Sequence, residues 1–64
     1  MRSNATIRHA LRRISEARVR LAVAIGQERG RPLPDFLRIS TLKKERLHLK
    51  DRQARLGRLL NAAG

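Results

Sequence analysis

Apolar residues recur at helical spacing along nearly the whole chain. The pattern is interrupted once, at Gly30-Arg31-Pro32-Leu33-Pro34-Asp35-Phe36, the segment that holds both prolines. Before the break, Ile7, Leu11, Ile14, Leu21 and Ile25 lie on one side of a helix, with Ala10, Ala17 and Ala24 beside them at intervals of seven. After it, Ile39, Leu42, Leu49, Leu56 and Leu60 repeat the logic, and Arg46 and Gln53 fill two places in the same stripe. Ser3 or Asn4 can accept the first free amide hydrogen bonds of helix 1, and Gly30 stands where a left-handed residue often closes a helix. Pro32 and Pro34 prevent the helix from running on and push the residues before them towards extended geometry, while Asp35 can cap helix 2. The spacing predicts helix 1 over about residues 4–29, a turn over 30–34 and helix 2 over about 35–61.

A chain that folds back at this turn brings together residues whose position numbers have a near-constant sum. Leu21 with Leu42, Ile14 with Leu49, and Ile7 with Leu56 each sum to 63, as do Ala24 with Ile39, Ala17 with Arg46, and Ala10 with Gln53. Half of that sum falls between Arg31 and Pro32, inside the break. The expectation is a single domain over residues 1–64 with an all-α fold, an antiparallel two-helix coiled-coil hairpin. Large apolar side chains meet in one row, and a small alanine meets a longer residue in the next. Arg46 is expected to lay its methylene stem over Ala17. The predicted core is Ile7, Ala10, Ile14, Ala17, Leu21, Ala24, Ile39, Leu42, Leu49 and Leu56, joined by a turn built on Gly30, Pro32, Pro34 and Asp35.

A hairpin of 64 residues buries little apolar surface without a disulfide, a metal or a partner chain. Cysteine is absent, which removes disulfide and zinc-thiolate chemistry and fits the cytoplasm. The longest apolar run, Leu21 to Ile25, is far short of the ~20 residues of a membrane span, and no apolar core of signal-peptide length lies near Met1. Leu11, Val19, Val23 and Ile25 on helix 1, and Phe36, Leu47, Ala54 and Leu59 on helix 2, fall on the edges or backs of the stripes. Two helices cannot cover them. Self-association into a four-helix assembly is therefore expected, a homodimer being favoured, with Leu11, Ile25, Phe36, Leu47 and Leu59 as the oligomer surface. A helix from another protein would satisfy the same surface.

Sixteen basic residues, thirteen of them arginine, stand against five acidic ones, for a net charge of +11. Residues 1–32 carry eight basic and two acidic groups and residues 33–64 eight and three, so the charge is spread along both helices. One consequence is a solvated basic surface; another is attraction to nucleic acid through phosphates, or to an acidic protein. Lys43, Lys44, Lys50, Arg52, Arg55 and Arg58 make the strongest set of candidate phosphate contacts. Phe36 is the only aromatic residue, so base stacking is not available and such binding would be salt-sensitive and weakly sequence-specific.

Catalytic, cofactor and metal residues are not expected. His9 and His48 have no histidine or carboxylate at the i+3 or i+4 spacing of a helical metal site. The hydroxyls of Ser3, Thr6, Ser15, Ser40 and Thr41 have no base arranged around them, and a thin rod offers no pocket for a small-molecule substrate. Glu16 precedes Arg20 and Asp51 precedes Arg55 by four residues, the favourable order for helix ion pairs. Glu28 sits at the end of helix 1 that disfavours a carboxylate and has no obvious local partner.

The stretch from Arg31 to Leu56, "RPLPDFLRISTLKKERLHLKDRQARL", resembles the YdcH-like family of small bacterial proteins, also called domain of unknown function 465. Its Pro-x-Pro-Asp turn corresponds to Pro32-Leu33-Pro34-Asp35, and its Leu-Lys-Lys-x-x-Leu-x-Leu-Lys-Asp core to Leu42 through Asp51. The first helix is similar in character, with His9, Leu11 and Ile14 in matching places. The resemblance implies a coiled-coil hairpin, brings no catalytic residues with it and implies no established molecular function. "PLPDFL" is also similar to an element of the small helical anti-sigma factors of the alphaproteobacterial general stress response. Those carry an additional arginine between Asp and Phe and lack the lysine-rich block.

Overall fold

Ser3 opens the first helix. Its extended backbone (φ −71°, ψ 157°) lets the hydroxyl accept from the Thr6 amide at 3.2 Å, and its carbonyl accepts from the Ile7 amide at 3.0 Å. A computed structural model describes residues 3–63 as two helices, α1 (Asn4–Arg29) and α2 (Phe36–Ala63), and a turn between them. At ~1.5 Å per residue each helix is roughly 40 Å long, which accounts for a rod of 48 × 14 × 14 Å. Helix α2 runs two residues past Asn61 because Ala62 and Ala63 are strong helix formers and nothing stops them.

The buried side chains form two separate clusters. Ile7, Ile14 and Leu56, with Ala10, Leu11, Leu49 and Leu60 against them, join the start of α1 to the end of α2. Ile25, Ile39 and Leu42, with Leu21 and Ala24, join the end of α1 to the start of α2. The helices are therefore antiparallel. Two residues expected on an oligomer surface belong to this interior. Ile25 is 6% exposed, and Leu11 is half-buried against the first cluster. The reason is rotation: Leu11 and Ile25 stand four residues after Ile7 and Leu21, which in a helix is as close to the facing direction as three residues after.

The same rotation corrects the second row of the expected register. Ala10 and Ala17 stand three residues after Ile7 and Ile14 and turn to one flank; Leu11 and Arg18, four residues after, turn to the other. Gln53 shares the flank of Arg18, not of Ala10. Arg18 Nη1 donates to Gln53 Oε1 at 2.6 Å, and Gln53 Nε2 donates to Ser15 Oγ at 3.1 Å. Arg46 likewise lines a cleft with Arg18, Val19 and Ala22, while Ala17 lines a different one. Arg18 on α1 and Arg46 on α2 thus stand between the two apolar clusters, while Gln53 lies within the first, between Leu49 and Leu56.

The turn is built around a carboxylate. Glu28 is 5% exposed; its Oε1 accepts from the Asp35 amide at 2.9 Å and from Arg31 Nη1 at 3.2 Å, and its Oε2 lies 3.7 Å from Arg38 Nε. Asp35 caps α2, accepting from the Arg38 amide on Oδ1 and from the Ile39 amide on its carbonyl, both at 3.0 Å. Glu28 therefore has the partners that the sequence did not disclose, and it ties the end of α1 to the start of α2. Among the described residues its ion pairs are the only ones within 4.0 Å, so Glu16 with Arg20 and Asp51 with Arg55 do not pair.

Gly30 does not take the expected left-handed conformation. It closes α1 at φ −79°, ψ −5°, its amide donating to Gly26 O at 3.1 Å. The chain leaves the helix in a right-handed turn, in which the Arg31 amide donates to Glu28 O at 3.3 Å and Arg31 Nη1 to the Glu28 carboxylate at 3.2 Å. A Cβ at Gly30 would meet only Gly26 O at 3.5 Å and Gln27 O at 3.7 Å. Gly30→Ala is accordingly expected to be neutral or to stabilise by up to ~1 kcal/mol, whereas a left-handed glycine would lose by the exchange. Urea unfolding of the variant decides between them.

Candidate interaction surfaces

At 100° per residue, Arg18, Val19, Ala22 and Val23 fall on one side of α1 and Thr6, His9, Arg13 and Arg20 on the other, with Ile14 between them pointing at α2. The hairpin therefore has two long faces of different chemistry. On the first, Val19, Ala22 and Val23 line a cleft with Ser15, Arg18 and Arg46. Val19 is 63% exposed and Val23 54%. Along α2 the same face continues through Leu47 and Phe36, which line a cleft with Ile39, Ser40, Lys43 and Lys44. The result is an apolar strip across both helices, ending at the turn, where Leu33, Phe36 and Leu37 stand in water. A third cleft at the strip's centre is lined by Arg18, Lys43, Arg46, Leu47 and Lys50.

On the opposite face Ala10 and Ala17, with Ile14 and Leu49, floor a trough walled by Thr6, His9, Arg13, Arg20 and Arg52. No acidic residue lines it, and among the described residues its arginines make no ion pair. The alanines matter here because small side chains beside the seam leave the groove open.

The two sets of candidate residues are regrouped by this geometry. Of the expected oligomer surface, Phe36 and Leu47 share the strip. Leu59 is exposed but stands three residues beyond Leu56, as Arg52 stands three beyond Leu49, and so lies on the trough's flank. Of the six candidate phosphate contacts, Lys43 and Lys50 line the strip's central cleft and Lys44 the cleft beside it, Arg52 walls the trough, and Arg55 and Arg58 are exposed without lining either. They do not make one surface. Arg13, Arg20, Arg18 and Arg46 are site residues that the sequence pattern did not single out. The signal was available in their flank relative to Ile14 and Leu49, which the total charge conceals.

Among the described residues no helix is long and apolar enough to cross a membrane, and no three His, Asp or Glu side chains are grouped for a metal. A family model described as a protein of unknown function (DUF465) matches residues 11–57, more than half of the chain. The match takes in both the Pro32–Asp35 turn and the Leu42–Asp51 block that carried the resemblance. No curated protein and no solved structure matches the chain.

Proposed function

We propose that this chain, which belongs to the DUF465 family of proteins of unknown function, is a cytoplasmic, non-enzymatic interaction module that self-associates by packing its apolar strip on that of a second copy. The observation that carries the reading is the strip itself: Val19, Val23, Leu47 and Phe36 are all more than half exposed and line clefts on the two helices that adjoin through the central one. Burying each such side chain contributes about 1–2 kcal/mol, and four helices close a core that two leave open.

The strip's cationic centre sets the conditions. Arg18, Lys43, Arg46 and Lys50 of one copy approach those of the other, and like charges at that range repel until salt screens them. Association should therefore tighten severalfold between about 0.05 M and 0.5 M salt, the reverse of an ion-pair interface. Sedimentation equilibrium tests this: the wild type is expected to dimerise more strongly as salt rises, and Val23→Gln with Leu47→Gln to remain monomeric. A wild type that stays monomeric at every salt concentration rejects the reading.

Nucleic-acid binding is a second reading with its own observation, the acid-free trough of Arg13, Arg20 and Arg52. These three cations would neutralise about three phosphates, giving a salt slope of about −2 for a single strand. Titration with a labelled oligonucleotide across a salt series checks that slope.

A further inference from the structure

The cleft at the strip's centre, about 380 Å³, gathers Arg18 and Arg46 with Lys43 and Lys50 around Leu47, and no carboxylate lines it. Arg18 enters from α1 and the other three from α2. Arg18 Nη1 is occupied by Gln53, but Arg18 Nε is buried and has no hydrogen-bond partner. A buried donor without an acceptor is rare in a finished protein, and here it belongs to the one cation that reaches the cleft from α1. The chain's own carboxylates do not supply it: Glu28 is held at the turn, Asp35 caps α2, and Glu16, Glu45 and Asp51 are exposed and line no part of the cleft.

The adjoining cleft shares Arg18 and Arg46 and adds Val19, Ala22 and Val23. A ligand that fills both must present an anion and, within a helical turn of it, apolar side chains. A phosphate backbone meets the first requirement and leaves the strip in water; a second copy meets the second and adds four more cations. We infer that the strip's preferred occupant is an acidic amphipathic helix of another protein, seating a Glu or Asp carboxylate among Arg18, Lys43, Arg46 and Lys50 and its flanking apolar residues on Val19, Val23 and Leu47. The inference rests on the strip being a docking face and names the partner that its charge selects over a second copy.

The test uses a fluorescein-labelled amphipathic helical peptide with leucines along one face and glutamates beside them, together with its counterpart carrying glutamine in place of glutamate. Anisotropy titration of the full chain is expected to show the glutamate peptide binding at least about tenfold tighter. Lys43→Gln, Arg46→Gln and Lys50→Gln together should abolish that preference. Arg13→Gln, Arg20→Gln and Arg52→Gln, an equal loss of charge on the opposite face, should preserve it. All six residues are exposed, and glutamine is a good helix former, so matched circular dichroism of the variants is expected. Equal binding of the two peptides, or equal loss of preference in both triple variants, overturns the inference. Sedimentation separates it from the self-association reading: a monomer that selects the glutamate peptide sinks self-association alone, and a dimer indifferent to the peptides sinks the acidic partner alone.

Discussion

Replacing Glu28 by alanine is expected to destabilise the hairpin by about 2–3 kcal/mol, a large share of what a domain of this size has to lose. The carboxylate is 5% exposed and satisfies the Asp35 amide at 2.9 Å, a charge-assisted bond to a backbone donor at the start of α2. Its ion pairs contribute less. Arg31 and Arg38 are themselves 63% and 59% exposed, and their share is screened by solvent. Most of the loss therefore comes from the amide left without an acceptor, together with the looser joint between the helices. Glu28→Gln separates these contributions, because it keeps an acceptor for Asp35 and gives up the charge. It should cost only about 1 kcal/mol. Urea unfolding at one fixed protein concentration measures both variants, since association would otherwise move the midpoint. Equal losses for alanine and glutamine would mean that the arginines, and not the Asp35 amide, are what Glu28 holds. A loss under about 0.5 kcal/mol for alanine would mean that the turn does not depend on it.

Glu28 also shows how far the fold is legible in the sequence. It continues the heptad Ile7, Ile14, Leu21, and with Asp35 it completes the same sum of 63 that aligns the apolar pairs. The register that predicts the hairpin therefore contains the turn's central contact. An apolar stripe does not reveal it, because a carboxylate at a helix C-terminus looks unfavourable until the chain beyond it supplies donors. Gly30 goes the other way. Glycine after a helix suggests a left-handed close, but Gly30 closes right-handed, with the Arg31 amide and side chain both turned back on Glu28, contacts visible only in three dimensions. The mispaired row has a simpler cause. A constant sum aligns residues along the rod and says nothing of their flank, so Ala17 and Arg46 pair by sum yet line different clefts. Flank decides which cations stand together, which is why the six basic residues chosen from α2 divide between two faces while Arg13 and Arg20 join one of them.

The polar contact of Arg18 with Gln53 leads to an expected gain of stability. Arg18 stands between Leu11 and Ile25 in its heptad row, and Gln53 stands between Leu49 and Leu56 along the seam, so both occupy positions with apolar neighbours. Their bond to each other is good, but Arg18 Nε remains buried and unpaired, and Arg46 stands by with the same charge. Well-packed apolar side chains replacing such a group are frequently worth about 1–4 kcal/mol to the folded state. Arg18→Leu with Gln53→Leu should fill out the first cluster, extend it along α1 towards the second, and stabilise the isolated chain by about 2 kcal/mol. In a domain this small that corresponds to a rise in melting temperature of roughly 10 °C. The urea midpoint should rise with an unchanged slope. A midpoint that falls would mean that the Arg18, Gln53 and Ser15 contacts already hold the seam as well as leucine can. The gain should come with a loss. Without Arg18 the central cleft loses its only cation from α1, and the preference for a glutamate-bearing helix should weaken while the apolar strip is left intact. A chain made more stable and less selective by the same exchange would locate the binding function in the polar contact that interrupts the core, since a purely structural one would be improved by leucine at no cost.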